Sequence, residues 1–391
     1  MHNITLLEAT KIAGGSSGKA GGLLGLWAYP ANIVPLSFRL HSELAAEHGG
    51  GKRWGYRRIH CGQLGAKGRP TAPSGQKQEE RPKSKSGDRT GDAISLQKRL
   101  DKTLGKLQAA GIPDDLDWVS PDSVMTYDGF GDPSNTAQVH PHLFTTTMAA
   151  LAVEKGVDIR VGAMVTAINR DPKTDSVNSV SYTEKATSQN ITLSATDVII
   201  SAGPWTSTIF PSAPISALRA HSVTIRPSRP VSGYALFTEI ALPPAEASKA
   251  ESASVTPEIY ARPNDEVYAC GEGDTLVPLP ATSDLVLTDD TRCQDIIDYV
   301  GAISDELRDG DVLVRQACYL PNVEGKARGP LIGQTGIKGL LLAAGHTCWG
   351  IQNGPGTGKV MSEFVFEGAA KSADVNSLDP RRVLRQISRL H

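Results

Sequence analysis

Residues 4–22, ITLLEATKIAGGSSGKAGG, contain the pattern that decides the fold. An apolar run ends at the acidic residue Glu8 and leads into a loop of glycine and serine at 14–22. This order is typical of the second parallel strand of a nucleotide-binding βαβ unit, whose terminal carboxylate accepts hydrogen bonds from a ribose. The alternative is an acid at the exposed end of a strand, which Glu8 alone would favour.

The same rule places a first strand and its Gly-x-Gly-x-x-Gly turn about 20 residues before the acidic residue. The sequence contains no such turn. We therefore expect a Rossmann-like domain whose first strand is missing, as in a chain truncated at its N-terminus.

Composition excludes several classes of function. The net charge of −2 gives no indication of a nucleic-acid partner, and the apolar runs are too short to span a bilayer. The five cysteines are scattered, odd in number and contain no Cys-x-x-Cys pair, which favours reduced thiols and a cytoplasmic location. His346 lies near Cys348, but no second His or Cys cluster stands at ligand spacing, so we predict no metal site.

Strand and helix patterns alternate at both ends of the chain, and the middle is rich in strand patterns, which predicts an α/β fold with an inserted antiparallel β-rich domain. Helices are expected at 31–48, 93–110, from Pro141, at 289–307 and at 355–367. Strands are expected at 157–161, 176–184, 189–194, 197–203 and 339–345, with several more in the middle. We predict a discontinuous nucleotide-binding domain at 1–61, 93–215 and 331–391, a disordered insertion at 62–92 and a substrate domain at 216–330.

Two further segments follow predicted buried strands. Each stands at the carboxyl edge of a parallel sheet, where a cofactor binds. They are residues 201–205, SAGPW, and residues 345–358, GHTCWGIQNGPGTG. The second segment leads into a helix, whose first amides and positive dipole end stabilise negative charge. Ordinary strand-to-loop turns remain the alternative for the first segment, and a flexible loop remains the alternative for residues 14–22.

These pieces, in this order, resemble the superfamily of FAD-dependent D-amino-acid, glycine and sarcosine oxidases, over most of the chain outside 62–92. The matching motifs are Glu8 with the loop at 15–22, Pro141 before the strand pattern at 157–161, Ala202-Gly203-Pro204-Trp205, residues 329–333 (GPLIG), and Gly345-His346 with Gly350, Gly354 and Pro355. Residues 18–22 (GKAGG), 54–58 (WGYRR) and 316–321 (QACYLP) look most like a poorly characterised fungal branch. One member of that branch has been linked to endosome-to-Golgi trafficking, which implies a second location at endosomes.

The resemblance implies FAD as the cofactor and hydride transfer from the carbon bearing an amine to flavin N5, followed by imine hydrolysis and reoxidation by oxygen. It implies that Glu8 holds the ribose and Val165 meets the adenine. It assigns the rest of the cofactor contacts to Ser16, Ser17, Lys19, Ala20, Gly21, Gly22, Ala202, Gly203, Trp205, Gly350, Ile351, Gln352, Asn353 and Gly354.

Substrate contacts are predicted at Tyr260 and Arg262, which lie two apart on one strand and so share a face, and at Trp349. An ordinary exposed strand face, and simple packing of Trp349, are the alternatives. Family members often have arginine where Leu320 stands, and we predict no catalytic base. The competing functions are a catalytically silent relative in endosomal trafficking or scaffolding and an NAD-dependent dehydrogenase, which would not require the ending at 345–355. The expected partner is a small amine or amino acid, and the oligomeric state stays open.

Overall fold

The computed structural model describes residues 3–70, 111–243, 254–325 and 329–387. Its helices are α1 Ser16–Lys19, α2 Val34–His48, α3 Gly50–Arg53, α4 Pro141–Glu154, α5 Thr206–Ile209, α6 Asp290–Gly301, α7 Asp305–Arg308, α8 Gly350–Glu367 and α9 Arg381–Ile387. Its strands are β1 Thr5–Glu8, β2 Leu23–Gly25, β3 Arg57–Arg58, β4 His60–Lys67, β5 Val124–Gly131, β6 Thr136–Gln138, β7 Asp158–Val161, β8 Ala163–Arg170, β9 Val177–Glu184, β10 Asn190–Ser194, β11 Val198–Ile200, β12 Ile215–Arg226, β13 Tyr234–Ala241, β14 Ser254–Val255, β15 Glu258–Arg262, β16 Glu266–Asp274, β17 Asp311–Val323, β18 Leu331–Gln334 and β19 Leu340–Ala344.

Two parallel strand pairs carry the nucleotide-fold pattern. β1 pairs in parallel with β7, with Glu8 opposite Val161, and β11 pairs in parallel with β19. Among the described residues, β1 pairs with β7 alone and β11 with β19 alone, so the two pairs belong to separate sheets. The mixture of helices with parallel and antiparallel strands confirms the predicted α/β class.

An eight-stranded sheet forms the largest element, in the order β17-β12-β16-β15-β13-β4-β5, with β14 added to β13. Side chains alternate between its faces. One face, which includes Leu236 and Val267, packs into a core with Ile296 and Val300 of α6. We call the opposite face, which bears Phe237, Tyr260 and other aromatic residues, the site face.

The predicted insertion at 62–92 is wrong at its start, because residues 62–67 belong to β4. β4 pairs in parallel with β13 and antiparallel with β5, so the large sheet also reaches outside the predicted substrate domain at 216–330. The small residues that suggested a loop are required by packing: a Cβ on Gly62 would lie 2.5 Å from the Tyr127 ring. Residues 71–92 and the helix expected at 93–110 lie outside the described residues.

The helix expected at 289–307 is two helices. α6 ends at Gly301, and α7 begins at Asp305 with Ser304 as its N-cap. The Ser304 hydroxyl accepts a hydrogen bond from the Leu307 amide at 3.3 Å, which stabilises the new start.

The last long helix begins at Gly350 and not near Pro355, as the proline suggested. A proline inside a helix leaves the carbonyl four residues earlier without its amide partner. Here that carbonyl belongs to Ile351, and it accepts a hydrogen bond from His41 of α2. A contact from another helix therefore lets α8 include the proline. The helix at Pro141 is confirmed at its first residue, with His140 as N-cap.

Candidate functional site

The Glu8 carboxylate lies half-buried at the end of β1. Its Oε1 accepts hydrogen bonds from the Thr10 amide at 2.9 Å and the Thr10 hydroxyl at 3.1 Å, and that hydroxyl lies 2.6 Å from Ser283 Oγ. Among the described residues, these donors reach Oε1 and leave Oε2 to accept from a ligand. The side chain is oriented by its own turn and keeps one oxygen for a ribose hydroxyl.

The glycine-rich loop begins with a close turn into α1. A Cβ on Gly18 would lie 2.0 Å from the Ala13 carbonyl oxygen, so this approach requires glycine. The amides of Ser16 and Ser17 stand in the first turn of α1, where no intrahelical acceptor exists. These amides are suited to bind an anion.

The turn at 202–205 lies against this loop. A Cβ placed on Gly15 would have Trp205 as its nearest neighbour, at 4.0 Å. The Trp205 indole donates to the Pro280 carbonyl at 2.6 Å, which fixes the ring, and Gly203 adopts a positive φ of 54°. The structure thus places Trp205, at the end of this turn, beside the loop.

The end of the loop is attached to the site face. Arg262 donates through Nε to the Gly21 carbonyl at 3.1 Å and through Nη2 to the Ala20 carbonyl, while Nη1 pairs with Glu266 at 2.7 Å. Lys19 donates to the Ala317 carbonyl at 2.8 Å, and burial lowers the pKa of its ammonium. Arg262 is therefore occupied by structural contacts.

Tyr260 and Arg262 share a face of β15, as predicted, but the alternative of an exposed strand face is wrong. Their exposed fractions are 6% and 5%. Gly21 covers Tyr260 so closely that a Cβ there would lie 2.0 Å from the ring. Gly22, at φ 93°, approaches the Val139 carbonyl in the same way. The glycines of this loop serve close packing against the protein itself.

The start of α8 faces α1 across an open cavity of about 270 Å³. Gly354 has no atom within 4 Å of an added Cβ, and Gly350 has only His346 Cβ at 3.8 Å, so this wall is bare backbone. The first-turn amides of α8 are again without intrahelical acceptors. The lining residues are Ser17, Leu44, Phe144, Thr145, Met148, Gly350, Ile351, Gly354 and Pro355.

Gln352 and Asn353 point away from this cavity. Gln352 Oε1 accepts from the Gly25 amide at 2.8 Å, and Asn353 Nδ2 donates to the Tyr29 carbonyl at 2.9 Å. Their side chains are buried and fix the segment that follows β2. Any contact that these two residues make with a cofactor would come from the main chain.

Val165 lies apart from the loop, half-buried in β8 opposite Tyr182 of β9. β8 contacts β1, so Val165 lies on the side of the molecule where Glu8 ends its strand. The contact of Val165 with the adenine therefore stays a prediction.

Trp349, the N-cap of α8, lies 5.9 Å from Trp27 between ring centroids in an edge-to-face arrangement. Through Trp27 it joins the aromatic side chains of the site face. The sequence analysis did not predict Glu258, an acid on the same face. Its position two residues before Tyr260 on one strand could have indicated that the two side chains share a face.

Other expectations concern metals, membranes and cysteines. The described part of the chain contains no group of three metal-ligating side chains, and His346 Nε2 instead lies 2.9 Å from the Thr357 hydroxyl. None of its helices is long and apolar enough to cross a bilayer. All five cysteines lie in the described ranges as free thiols.

Comparisons with known proteins agree with this arrangement. The profile of the DAO family, described as FAD dependent oxidoreductase, matches residues 1–364. "Putative oxidoreductase TDA3" of Saccharomyces cerevisiae is 35% identical over 97% of this chain and 89% of that protein. "Putative oxidoreductase C1F5.03c" of Schizosaccharomyces pombe is 33% identical over 96% and 90%, respectively.

Among solved structures, glycine oxidase from Geobacillus kaustophilus superposes with a TM-score of 0.67 at 15% identity, over 97% of this chain and 92% of that one. That likeness shows a shared fold. The profile match and the two yeast relatives show that this chain belongs to the DAO family of FAD-dependent oxidoreductases.

Proposed function

We propose that the enzyme oxidises the carbon that bears the nitrogen of a small amine or amino acid. The observation that supports this most directly is the cavity between Ser17 and the bare backbone of Gly350 and Gly354, at the start of α8, whose first-turn amides have no intrahelical acceptor. The family supplies FAD, and a flavin needs such amides beside the negative charge that its ring gains on reduction.

The residues present fit an FAD molecule. Glu8 keeps Oε2 for the adenosine ribose, and the amides of Ser16 and Ser17 are suited to the pyrophosphate. Gly350 and Gly354 leave their wall open to a planar ring. We assign these contacts from the protein side, and Trp205 adds a ring beside the loop at Gly15.

Glu8, Ser16 and Ser17 would hold FAD, which would supply the acceptor for the hydride that leaves the carbon bearing the amine. The protein's part is to hold the amine in place and to exclude water, and the imine product is hydrolysed afterwards. We propose that the site face of the large sheet binds this substrate, because Arg262, Lys19 and Gly21 attach the glycine-rich loop directly to it.

Purified protein tests this proposal. We expect a yellow protein with the two flavin absorption bands, whose colour is lost on anaerobic mixing with a substrate from a panel of amines and amino acids. Glu8→Gln should weaken FAD binding by about tenfold, since it removes one charge-assisted hydrogen bond to the ribose. Glu47→Gln, at an exposed site on α2, is the matched control.

A folded, monodisperse protein that remains colourless with added FAD would contradict the proposal. That result would favour the non-catalytic role in trafficking or scaffolding.

A further inference from the structure

An acid that has no cationic partner among the described residues lies on the site face. Glu258 begins β15, directly opposite Phe237 of β13 and Cys270 of β16. Its Oε2 accepts from the Tyr260 hydroxyl and, at 3.8 Å, from the Cys270 thiol. Burial raises the pKa of this carboxyl. Within the described ranges it forms no ion pair, and no protein donor reaches Oε1.

Two aromatic residues, Phe237 and Tyr260, lie beside this acid and belong to a larger group of rings. We define the aromatic cluster as Trp27, Phe130, Phe237, Tyr260 and Trp349. Its ring centroids are linked by separations of 5.0 Å for Trp27–Phe130, 6.2 Å for Trp27–Phe237, 5.9 Å for Trp27–Trp349 and 6.2 Å for Phe237–Tyr260. Phe130 is 40% exposed, and Trp27, Phe237 and Trp349 are partly exposed, so the cluster is open to a ligand on one side.

Three cations near the site face, in the described part of the chain, are already occupied. Arg262 pairs with Glu266 and holds the loop carbonyls, and Lys19 donates to the Ala317 carbonyl. Arg57 donates to the Gln138 side chain at 2.8 Å and to the Ala261 carbonyl at 3.0 Å. Leu320, on β17, supplies no charge. A substrate carboxylate would meet an acid here, and none of these three cations is free to pair with it.

We propose that this site takes an amine that has no α-carboxylate, with its ammonium on Glu258 and its apolar part on the aromatic cluster. An ammonium beside a desolvated carboxylate gains a charge-assisted hydrogen bond, and ring faces attract the same cation. A carboxylate at this place would be repelled by Glu258 and would lose its water without compensation. The assignment of this amine as the substrate rests on the proposed function, whereas its binding does not.

Isothermal titration calorimetry on the purified full chain tests the binding. The probes are 2-phenylethylamine, phenylalanine in both enantiomers, and 3-phenylpropionate, which share one apolar group and differ in charge. At pH 7.5 we expect the amine to bind at least about tenfold more tightly than each of the others, equivalent to one charge-assisted hydrogen bond.

Glu258→Gln should remove about tenfold or more of the amine's affinity, because it keeps the shape of the side chain and an oxygen that can accept from Tyr260. Glu47→Gln, at an exposed site on α2, should leave that affinity unchanged. Thermal unfolding of each variant checks that the fold is kept, and the comparison of probes on the unmutated chain stands even if Glu258→Gln fails to fold.

Three results would overturn the inference: no binding of the amine, equal binding of phenylalanine, or unchanged affinity in a folded Glu258→Gln variant. If an amino acid bleaches the flavin and the amine does not, the inference falls and the proposed function stands. If the amine binds through Glu258 but neither it nor any amino acid of the panel bleaches the flavin, the proposed function falls and the binding site stands.

Discussion

The imidazole Nε2 of His41 in α2 lies 2.9 Å from the carbonyl oxygen of Ile351 in α8 and donates a hydrogen bond to it. Pro355, four residues further along α8, has no amide to offer that carbonyl. His41 is fully buried and packs on the Phe144 ring at 4.8 Å between centroids. One side chain from a neighbouring helix thus completes the first turns of α8, beside the proposed flavin wall.

Replacing His41 should lower stability. His41→Ala leaves the Ile351 carbonyl without a partner and opens a cavity, so we expect a loss of about 2–4 kcal/mol in the free energy of unfolding. Arg39→Ala, on the exposed side of the same helix, should change it by less than about 0.5 kcal/mol. Urea unfolding measures both, and equal midpoints for the two variants would refute the role given to His41.

The stability of the protein should also fall in mild acid. Burial lowers the pKa of His41 to about 4, against about 6.5 in an unfolded chain. Between these values the unfolded state binds one more proton at this residue, so stability decreases as the pH falls. From pH 7 to pH 5 the contribution lost is about 2 kcal/mol. His41→Gln should show a shallower dependence in urea unfolding at the two pH values, and parallel curves would count against this cause.

Gly21 should tolerate no side chain. An added Cβ would lie 2.0 Å from a carbon of Tyr260, whose ring is held at 5.8 Å from Tyr268. Gly21→Ala should therefore cost about 1–3 kcal/mol of stability and weaken FAD binding, because the loop must move. Gly51→Ala, where the nearest contact is an ordinary 3.8 Å, is the control for thermal unfolding and FAD titration. A normal FAD affinity in Gly21→Ala would show that the loop position does not matter.

Arg262 should prove structural. Arg262→Met leaves Glu266 and two loop carbonyls without their donor, so we expect a loss of about 3–5 kcal/mol together with weaker FAD binding. Arg170→Met removes one exposed ion pair, with Asp175, and should cost about 0–1 kcal/mol. Chemical unfolding and FAD titration give the comparison. If Arg262 instead binds a substrate carboxylate, the variant will keep its stability and raise only the KM of amino acids.

Amine binding should weaken in acid through Glu258. The neighbouring groups are the Tyr260 hydroxyl and the thiols of Cys270, Cys61 and Cys348, and burial raises the pKa of each of them, so they stay neutral between pH 5 and 8. Glu258 is protonated as the pH falls through its raised pKa, and it then loses its attraction for an ammonium. As the pH falls, the Kd of 2-phenylethylamine should begin to rise at a pH above about 4.3, the usual pKa of a glutamate side chain. Glu258→Gln should lack this dependence.

Much of the nucleotide-binding part followed from local patterns. The acidic end of β1, the proline at the start of α4 and the small-residue turn after β11 depend on neighbours along the chain, and the structure has these elements at or near the predicted places. The start of α8 could not be predicted from neighbouring residues, because the hydrogen-bond partner of the Ile351 carbonyl, His41, lies 310 residues earlier in the chain. β4 was missed for a similar reason, since its glycines are explained only by the side chains of β5 packed on them.

The sequence by itself determined the class of fold and the family, because strand periodicity, a terminal acid and glycine spacing are properties of short segments. Tertiary structure decided what the individual side chains do. The spacing of Tyr260 and Arg262 predicts that they share a face. Only the packing of Gly21 on that face shows that Arg262 binds the carbonyls of the glycine-rich loop. By sequence Glu258 is an ordinary strand acid, but the fold buries it beside Phe237 and Tyr260 with no cationic partner among the described residues. Burial makes the binding of a carboxylate selective, because an unpaired charge is costly away from water.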